Sequence, residues 1–259
     1  MSPRSHSFEG IENFRDFGDY GSRFGGRIVS SRLFRSGHIA KATPADLTRL
    51  EGLRVTLITD LRRPTERAND RSPRLAGFTG HIIDNDIGDL AEGPHVAFMR
   101  QTNMNVPSIR RYLTDYYSRA PFEARYRDLF ARYFRALATL EGGAWVHCAA
   151  GKDRTGILVA LTHDVLGVAE SDVAADFLLT NEVMQVEQRL SAYGPRLEKL
   201  LGRVPSEAAI RCFLGVDGEH LEATFAAIRA ECGSTEGYVV RYLGIEPGAL
   251  GAIRERLLG

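Results

Sequence analysis

Ten residues constrain this chain more than any other stretch: His147–Gly156, reading HCAAGKDRTG. Before them an apolar run, Ala144-Trp145-Val146, follows a Gly-Gly pair (Gly142, Gly143), and a long apolar segment starts at Ile157. This order predicts a buried strand, a tight loop and a buried helix. The loop opens with Cys148 and closes with Arg154, with five residues between them.

The rest of the chain reads in the same class. Thr43-Pro44-Ala45-Asp46 is a helix start, with Thr as N-cap, Pro in the first turn and Asp near the positive end. Val55–Ile58 is a buried strand ending at Asp60-Leu61-Arg62, where sites lie in an open α/β sheet. His81-Ile82-Ile83 is another strand, followed by Asp84, Asp86 and Asp89 in a loop. Arg27-Ile28-Val29 and Arg32-Leu33-Phe34 read as short strands, and residues 94–108 carry no period. Phe122, Tyr126, Leu129, Phe130, Tyr133, Phe134, Leu137 and Leu140 recur at spacings of three and four, which predicts a core-facing helix stopped by Gly142 and Gly143. Past the loop a helix over about 155–166 ends at Gly167.

Everything after Gly167 reads helical. Ser171 is expected to cap a helix through Met184, and a helix over 186–201 to break or end near Gly194-Pro195. Ser206 caps a helix with Ile210 and Phe213, Leu221, Phe225 and Ile228 mark another closed by Gly233, Ser234 starts a short one closed by Gly244, and Leu250, Ile253 and Leu257 mark the last. Strands alternate with helices up to residue 148 and helices alone follow, so the class is α/β with a helical C-terminal portion. No linker divides residues 1–259, which are expected to form a single domain, with a loose polar start over 1–9.

Composition excludes some functions. Net charge is zero and the pI about 7.1, so no global field favours nucleic acid or an anionic membrane. Any anion must be bound locally. Lysine is scarce (Lys41, Lys152, Lys199), yet one of the three falls in the loop. Three scattered cysteines suit a reducing compartment rather than a disulfide framework. No apolar run is long enough to span a membrane, and the N-terminus has no apolar signal region. A cytoplasmic location is the expectation, with export without a recognisable signal left open.

The loop has the parts of an anion cradle. Its amides, from Ala149 and Ala150 through Gly151 and Lys152 to Arg154, are able to turn inward as a nest. The following helix N-terminus adds positive potential, and Arg154 supplies a planar fork for two phosphate oxygens. Gly151 allows a backbone angle that other residues resist. The same amides stabilise a thiolate, so Cys148 is placed for in-line attack on a bound phosphate ester. Thr155 is expected to give the sulfur a hydroxyl hydrogen bond, and His147 to shape the loop rather than touch substrate.

The leaving group needs a proton. A carboxylate beside an anion site is repelled, which favours its acid form, so Asp153 is the candidate general acid. Asp60, Asp84 and Asp86 compete. Asp60 reads as mainly structural, ordering the neighbouring loop with Arg154 as the expected partner. A nucleotide P-loop fails because Asp153 stands where a hydroxyl residue is required. A metal site fails because His147 and Cys148 are adjacent and no second pair appears. Neither metal nor cofactor is expected.

HCAAGKDRTG resembles the Cys-x5-Arg signature of the protein tyrosine phosphatase superfamily. NFRDFG at Asn13, LFRSG at Leu33, ITDLRRPTE at Ile58 and STEGYVVRYLGI at Ser234 narrow this to a bacterial tyrosine phosphatase family with mycobacterial and fungal members. The resemblance spans roughly 8–258. It implies a phosphatase-type α/β fold with a mostly parallel central sheet flanked by helices. It also implies metal-independent hydrolysis of phosphotyrosyl proteins, with dual-specificity or phosphoinositide activity in some members. By the same analogy, 178–215 take the place of lid helices. Lys152 is the residue that would hold a second phosphate on an inositol ring. No Trp-Pro-Asp acid loop is present, which shifts weight onto Asp153. Two alternatives stay open, a phosphoinositide phosphatase and a non-catalytic phospho-ligand module. The presence of Cys148, Arg154 and Thr155 argues against the second.

Overall fold

The computed structural model describes residues 8–88 and 93–259. Asp89 and residues 1–7, which carry two of the expectations above, lie outside the described residues. The strands are β1 (Arg15–Asp16), β2 (Leu33–Ser36), β3 (Val55–Asp60), β4 (His81–Ile83) and β5 (Gly143–His147). They form one sheet in the order β1-β2-β5-β3-β4. Only the β1–β2 pair is antiparallel. The central strand, β5, pairs Ser36 on one side and Asp60 on the other with the same residue, His147. Three parallel strands therefore end level, and the chain segments leaving them at Gly37, Leu61 and Cys148 meet at one edge.

Strand periodicity explains why both faces are buried. Leu33, Leu57, Ala144 and Val146 enter the main core, whereas their neighbours Phe34, Ile58 and Trp145 enter a core on the opposite face. The helices α1 (Pro44–Gly52) and α2 (Pro64–Asn69) follow β2 and β3. Thr43 caps α1 in a reciprocal box with Asp46. On the main-core side lie α5 (Ala124–Leu137), carrying the expected aromatic stripe, and α6 (Asp153–Val165). Ten of the thirteen residues of α6 are buried, so it runs through the centre of the molecule.

The unpatterned stretch 94–108 is mostly helical: α3 (Pro94–Gln101) and the start of α4 (Val106–Arg119). The C-terminal portion holds α7 (Glu170–Val183), α8 (Val186–Leu201), α9 (Glu207–Leu214), α10 (Gly218–Cys232), the short α11 (Thr235–Gly237) with a π-helical turn Tyr238–Tyr242, and α12 (Pro247–Leu257). A separate apolar core joins α3 and α4 to α8 and α9 through Met99, Ile109, Leu190 and Ile210.

Three local expectations are corrected. Arg27-Ile28-Val29 forms no strand; Ile28 makes a single bridge to Leu258, and Val29 bonds Leu257. Ser171 lies inside α7, whose cap Ala169 offers no side-chain acceptor; Glu170 and Asp172 face the positive end instead. Gly194-Pro195 does not break α8, which runs unbroken from Val186 to Leu201. A proline there forfeits a hydrogen bond, but Leu190 and Leu197 on either side are both buried in the α8–α9 core.

Candidate active site

A loop offers its amides to an anion only if its carbonyls point the other way. In 147–152, the carbonyls of His147, Ala149, Ala150, Gly151 and Lys152 are each tied to a donor outside the loop's mouth or in α6. His147 O accepts from Leu61 N at 2.8 Å, and Ala149 O accepts from His38 N at 3.0 Å. Asn13 Nδ2 donates to Gly151 O at 2.7 Å and to Ala150 O at 3.4 Å. Arg35 Nη2 donates to Gly151 O at 3.0 Å. Lys152 O accepts Gly156 N at 2.8 Å, the first bond of α6. Gly151 takes φ +66°, and a Cβ there would lie 2.3 Å from the Ser36 carbonyl group. No other residue fits.

Beneath the loop, Asp176 of α7 holds two fully buried arginines. Arg15 Nε lies 3.3 Å and Arg35 Nη1 2.8 Å from its carboxylate. Burial opposes that charge, but the two guanidiniums outweigh it and keep Asp176 far below the usual carboxylate range. Burial and neighbouring Arg15 lower Arg35 to about 10, so it remains charged near neutrality. Arg15 also donates to Asn13 Oδ1, orienting the amide that holds Gly151. The motifs NFRD and FRSG thus act on the loop's backbone from below.

Above the loop, Arg154 Nη1 and Nη2 form a two-pronged pair with Glu66 of α2 at 2.5 and 2.8 Å. Nη1 also reaches Leu61 O at 3.3 Å. Burial alone would weaken the charge of Arg154, but Cys148 and Glu66 outweigh it and raise its pKa well above the ordinary value. Glu66 falls to about 2, its burial overcome by the bonds to Arg154 and by the amide of Arg63. Its Oε2 accepts Arg63 N at 2.7 Å, so the residue that caps α2 also orients the arginine. Glu66 was not singled out from sequence, although it ends the ITDLRRPTE motif. Its place three residues after the helix cap was the available signal.

The expected partner of Asp60 is corrected accordingly. Asp60 does not reach Arg154; it holds Arg62, with Nη2 at 2.7 Å, and lies 3.7 Å from His147 Nδ1. Burial is overcome by His147 and Arg62, which lower Asp60 to about 2. A group this acidic holds no proton to donate near neutrality. His147 is buried between Asp60 and the Trp145 ring, and burial lowers its pKa towards neutral imidazole. Thr155 Oγ1 is buried and makes no hydrogen bond, to sulfur or to any other atom.

Asp153 opens α6, and its Oδ1 accepts Tyr117 OH at 2.7 Å. Lys152 Nζ donates to the carbonyls of Phe213 at 2.8 Å and Gly215 at 3.2 Å, behind α9. A cleft of about 650 Å³ stands over the loop. Cys148, Ala149, Ala150, Lys152, Asp153 and Arg154 form its floor. Tyr112 and Tyr116 of α4, Tyr126 of α5, Tyr193 of α8 and Phe213 of α9 give it an aromatic wall. His95 of α3 lines it too; burial and Arg154 lower its pKa. Of the competing acids, Asp84 and Asp86 do not line this cleft; Asp86 pairs with Arg67 on the surface.

The model of a tyrosine phosphatase family matches residues 6–259. A protein assigned by name to the tyrosine-protein phosphatases of Cupriavidus necator is 31% identical over 249 residues, 94% of this chain and 86% of that protein. The triple specificity protein phosphatase PtpB of Mycobacterium tuberculosis is 30% identical, covering 96% of this chain and 98% of its own. A tyrosine-protein phosphatase of Nostoc commune is 25% identical, covering 89% and 75%.

Proposed function

The chain belongs to the tyrosine phosphatase family, as a protein-tyrosine phosphatase enzyme, and we propose that it hydrolyses phosphotyrosyl esters through a phosphocysteine on Cys148. The thiolate Sγ attacks phosphorus while the bond from phosphorus to the phenolic oxygen breaks. Asp153 delivers a proton to that oxygen. Water then attacks the phosphocysteine, Asp153 recovers a proton from it, and the Sγ–P bond breaks to release phosphate and thiolate. Arg154 and the inward amides stabilise the charge that develops on the equatorial oxygens. Residues 1–259 act as a single catalytic domain, and 178–215 supply one wall of its cleft.

The observation that carries this reading is Arg154, held by Glu66 over a loop whose carbonyls are tied outward, with Cys148 at its base. The aromatic wall favours an aryl ester. Phosphoinositide activity rests on Lys152, whose ammonium is engaged by Phe213 and Gly215; Lys152→Ala tested on phosphotyrosyl peptide and on soluble inositol phosphates separates the two substrates. Cys148→Ser is expected to abolish turnover while a phosphotyrosyl peptide still binds in calorimetry. Full turnover in that variant refutes the mechanism. Vanadate-sensitive, chelator-insensitive hydrolysis of an aryl phosphate would exclude a purely phospho-binding role.

A further inference from the structure

Tyr117 is a buried phenol that the reaction steps above do not use. It lies on α4 with no exposed surface. Its ring stacks on His220 of α10 with centroids 5.1 Å apart and meets Phe177 of α7 edge-on at 5.9 Å. Its carbonyl accepts the Thr224 hydroxyl of α10 at 2.9 Å. Three helices thus fix one ring, and its hydroxyl ends 2.7 Å from Asp153 Oδ1. Lys152 Nζ lies 3.6 Å from the same oxygen. Burial first, and Asp153 second, push the phenol well above its ordinary range, so it stays a donor at any working pH.

We infer that Tyr117 is a positioning residue for the proton donor: by occupying Oδ1 of Asp153 it leaves Oδ2 to carry the proton and aims it into the cleft. An unconstrained aspartate samples several rotamers and can be protonated on either oxygen. Here one oxygen is committed to a rigid donor, and the side chain, 28% exposed, lines the cleft. A proton transferred from a fixed oxygen needs no search over geometry, and misplacement by about 1 Å is worth up to about a hundredfold in rate. The inference rests on the reading of Asp153 as general acid. It adds that α10, outside the loop and cleft, contributes to catalysis by holding Tyr117.

The test is the dependence of kcat/KM on leaving group, because kcat/KM reports transfer to Cys148 and excludes the later hydrolysis common to all esters. A series of aryl phosphates from 2,4-dinitrophenyl to phenyl phosphate is hydrolysed by wild type, Tyr117→Phe, Asp153→Asn and the double variant. Good leaving groups need no acid; poor ones do. Asp153→Asn is expected to lose about a hundredfold on phenyl phosphate and little on the dinitrophenyl ester. Tyr117→Phe should lose about tenfold on phenyl phosphate alone, and the double variant no more than Asp153→Asn, because both act through one carboxylate. If Asp153→Asn steepens the dependence and Tyr117→Phe does not, the positioning role is overturned and the acid assignment stands. If Asp153→Asn itself leaves the dependence unchanged, the acid assignment fails and takes this inference with it. A purely structural role for Tyr117 would lower all esters equally. Should Tyr117→Phe not fold, 4-fluorophenylalanine at 117 fills the same space without a donor and must steepen the dependence, whereas 4-aminophenylalanine keeps a donor and must not.

Discussion

Replacing Glu66 by Gln keeps the shape of Arg154's partner and removes its charge. In the folded protein the Glu66 carboxyl lies at about 2 against an ordinary 4.5, because its bonds to Arg154 and to Arg63 N outweigh its burial. That displacement corresponds to roughly 3 kcal/mol of stability at neutral pH. With 21% of the side chain open to water, about 2 kcal/mol is the realistic share. E66Q should therefore melt roughly 4–8 °C below wild type for a chain of this size. Because the folded-state value is depressed, the contribution is complete above about 4.5 and is lost as the pH falls towards about 2. Urea unfolding of both proteins from neutral pH down through that window should show the gap closing. Arg154 stays charged in E66Q but loses its orientation, so kcat/KM for a phosphotyrosyl peptide should drop about tenfold, or about 1.4 kcal/mol. A stability gap that is the same at both ends of the window, or no loss of activity, would refute the role given to the pair.

Two further substitutions probe the loop from either side. Gly151→Ala sets a Cβ 2.3 Å from the Ser36 carbonyl group at φ +66°, so kcat/KM should fall by more than about a hundredfold while far-ultraviolet circular dichroism stays unchanged; near-wild-type kinetics would mean the loop closes differently. Thr155→Val replaces a buried hydroxyl that has no partner, so Tm should hold or rise, yet a burst of phenol followed by slower turnover should appear in rapid-mixing traces if the hydroxyl assists release of the sulfur.

The strand, loop and helix around Cys148 were legible because each has a local signature: an apolar run, a glycine at a forced angle, an apolar helix. The same holds for the aromatic stripe of α5 and for the caps Thr43 and Ser206. The helices α3 and α4 were not legible as a unit over 94–108. Gly93, Asn105 and two prolines start them, but the apolar residues are interrupted where one helix gives way to the next, which erases a single period. Long-range partners were less visible still. Asp60 is two residues from its true partner Arg62, whereas Glu66 is 88 residues from Arg154, and no spacing rule connects such a pair. Tyr117 carries no signal of its own in the sequence, and in the fold it is buried on every side with its hydroxyl on Asp153.

A chain with no net charge still has to hold a phosphate dianion, and the arrangement of ion pairs around the loop explains how. Arg154 is matched by Glu66 and Arg62 by Asp60, while Arg15 and Arg35 share Asp176 and Lys152 lies beside Asp153. Each of these cations thus already faces a carboxylate before substrate arrives. With those charges already matched, the proposed anion site draws on the dipoles of the 149–154 amides and the N-terminus of α6 as well as on Arg154. That field is fixed by the bonds that hold the carbonyls of Ala149, Ala150 and Gly151. On this account Asn13, Arg15 and Arg35, more than 110 residues before the loop, are as much a part of phosphate binding as Arg154, since releasing a carbonyl to swing inward would reverse the dipole it carries.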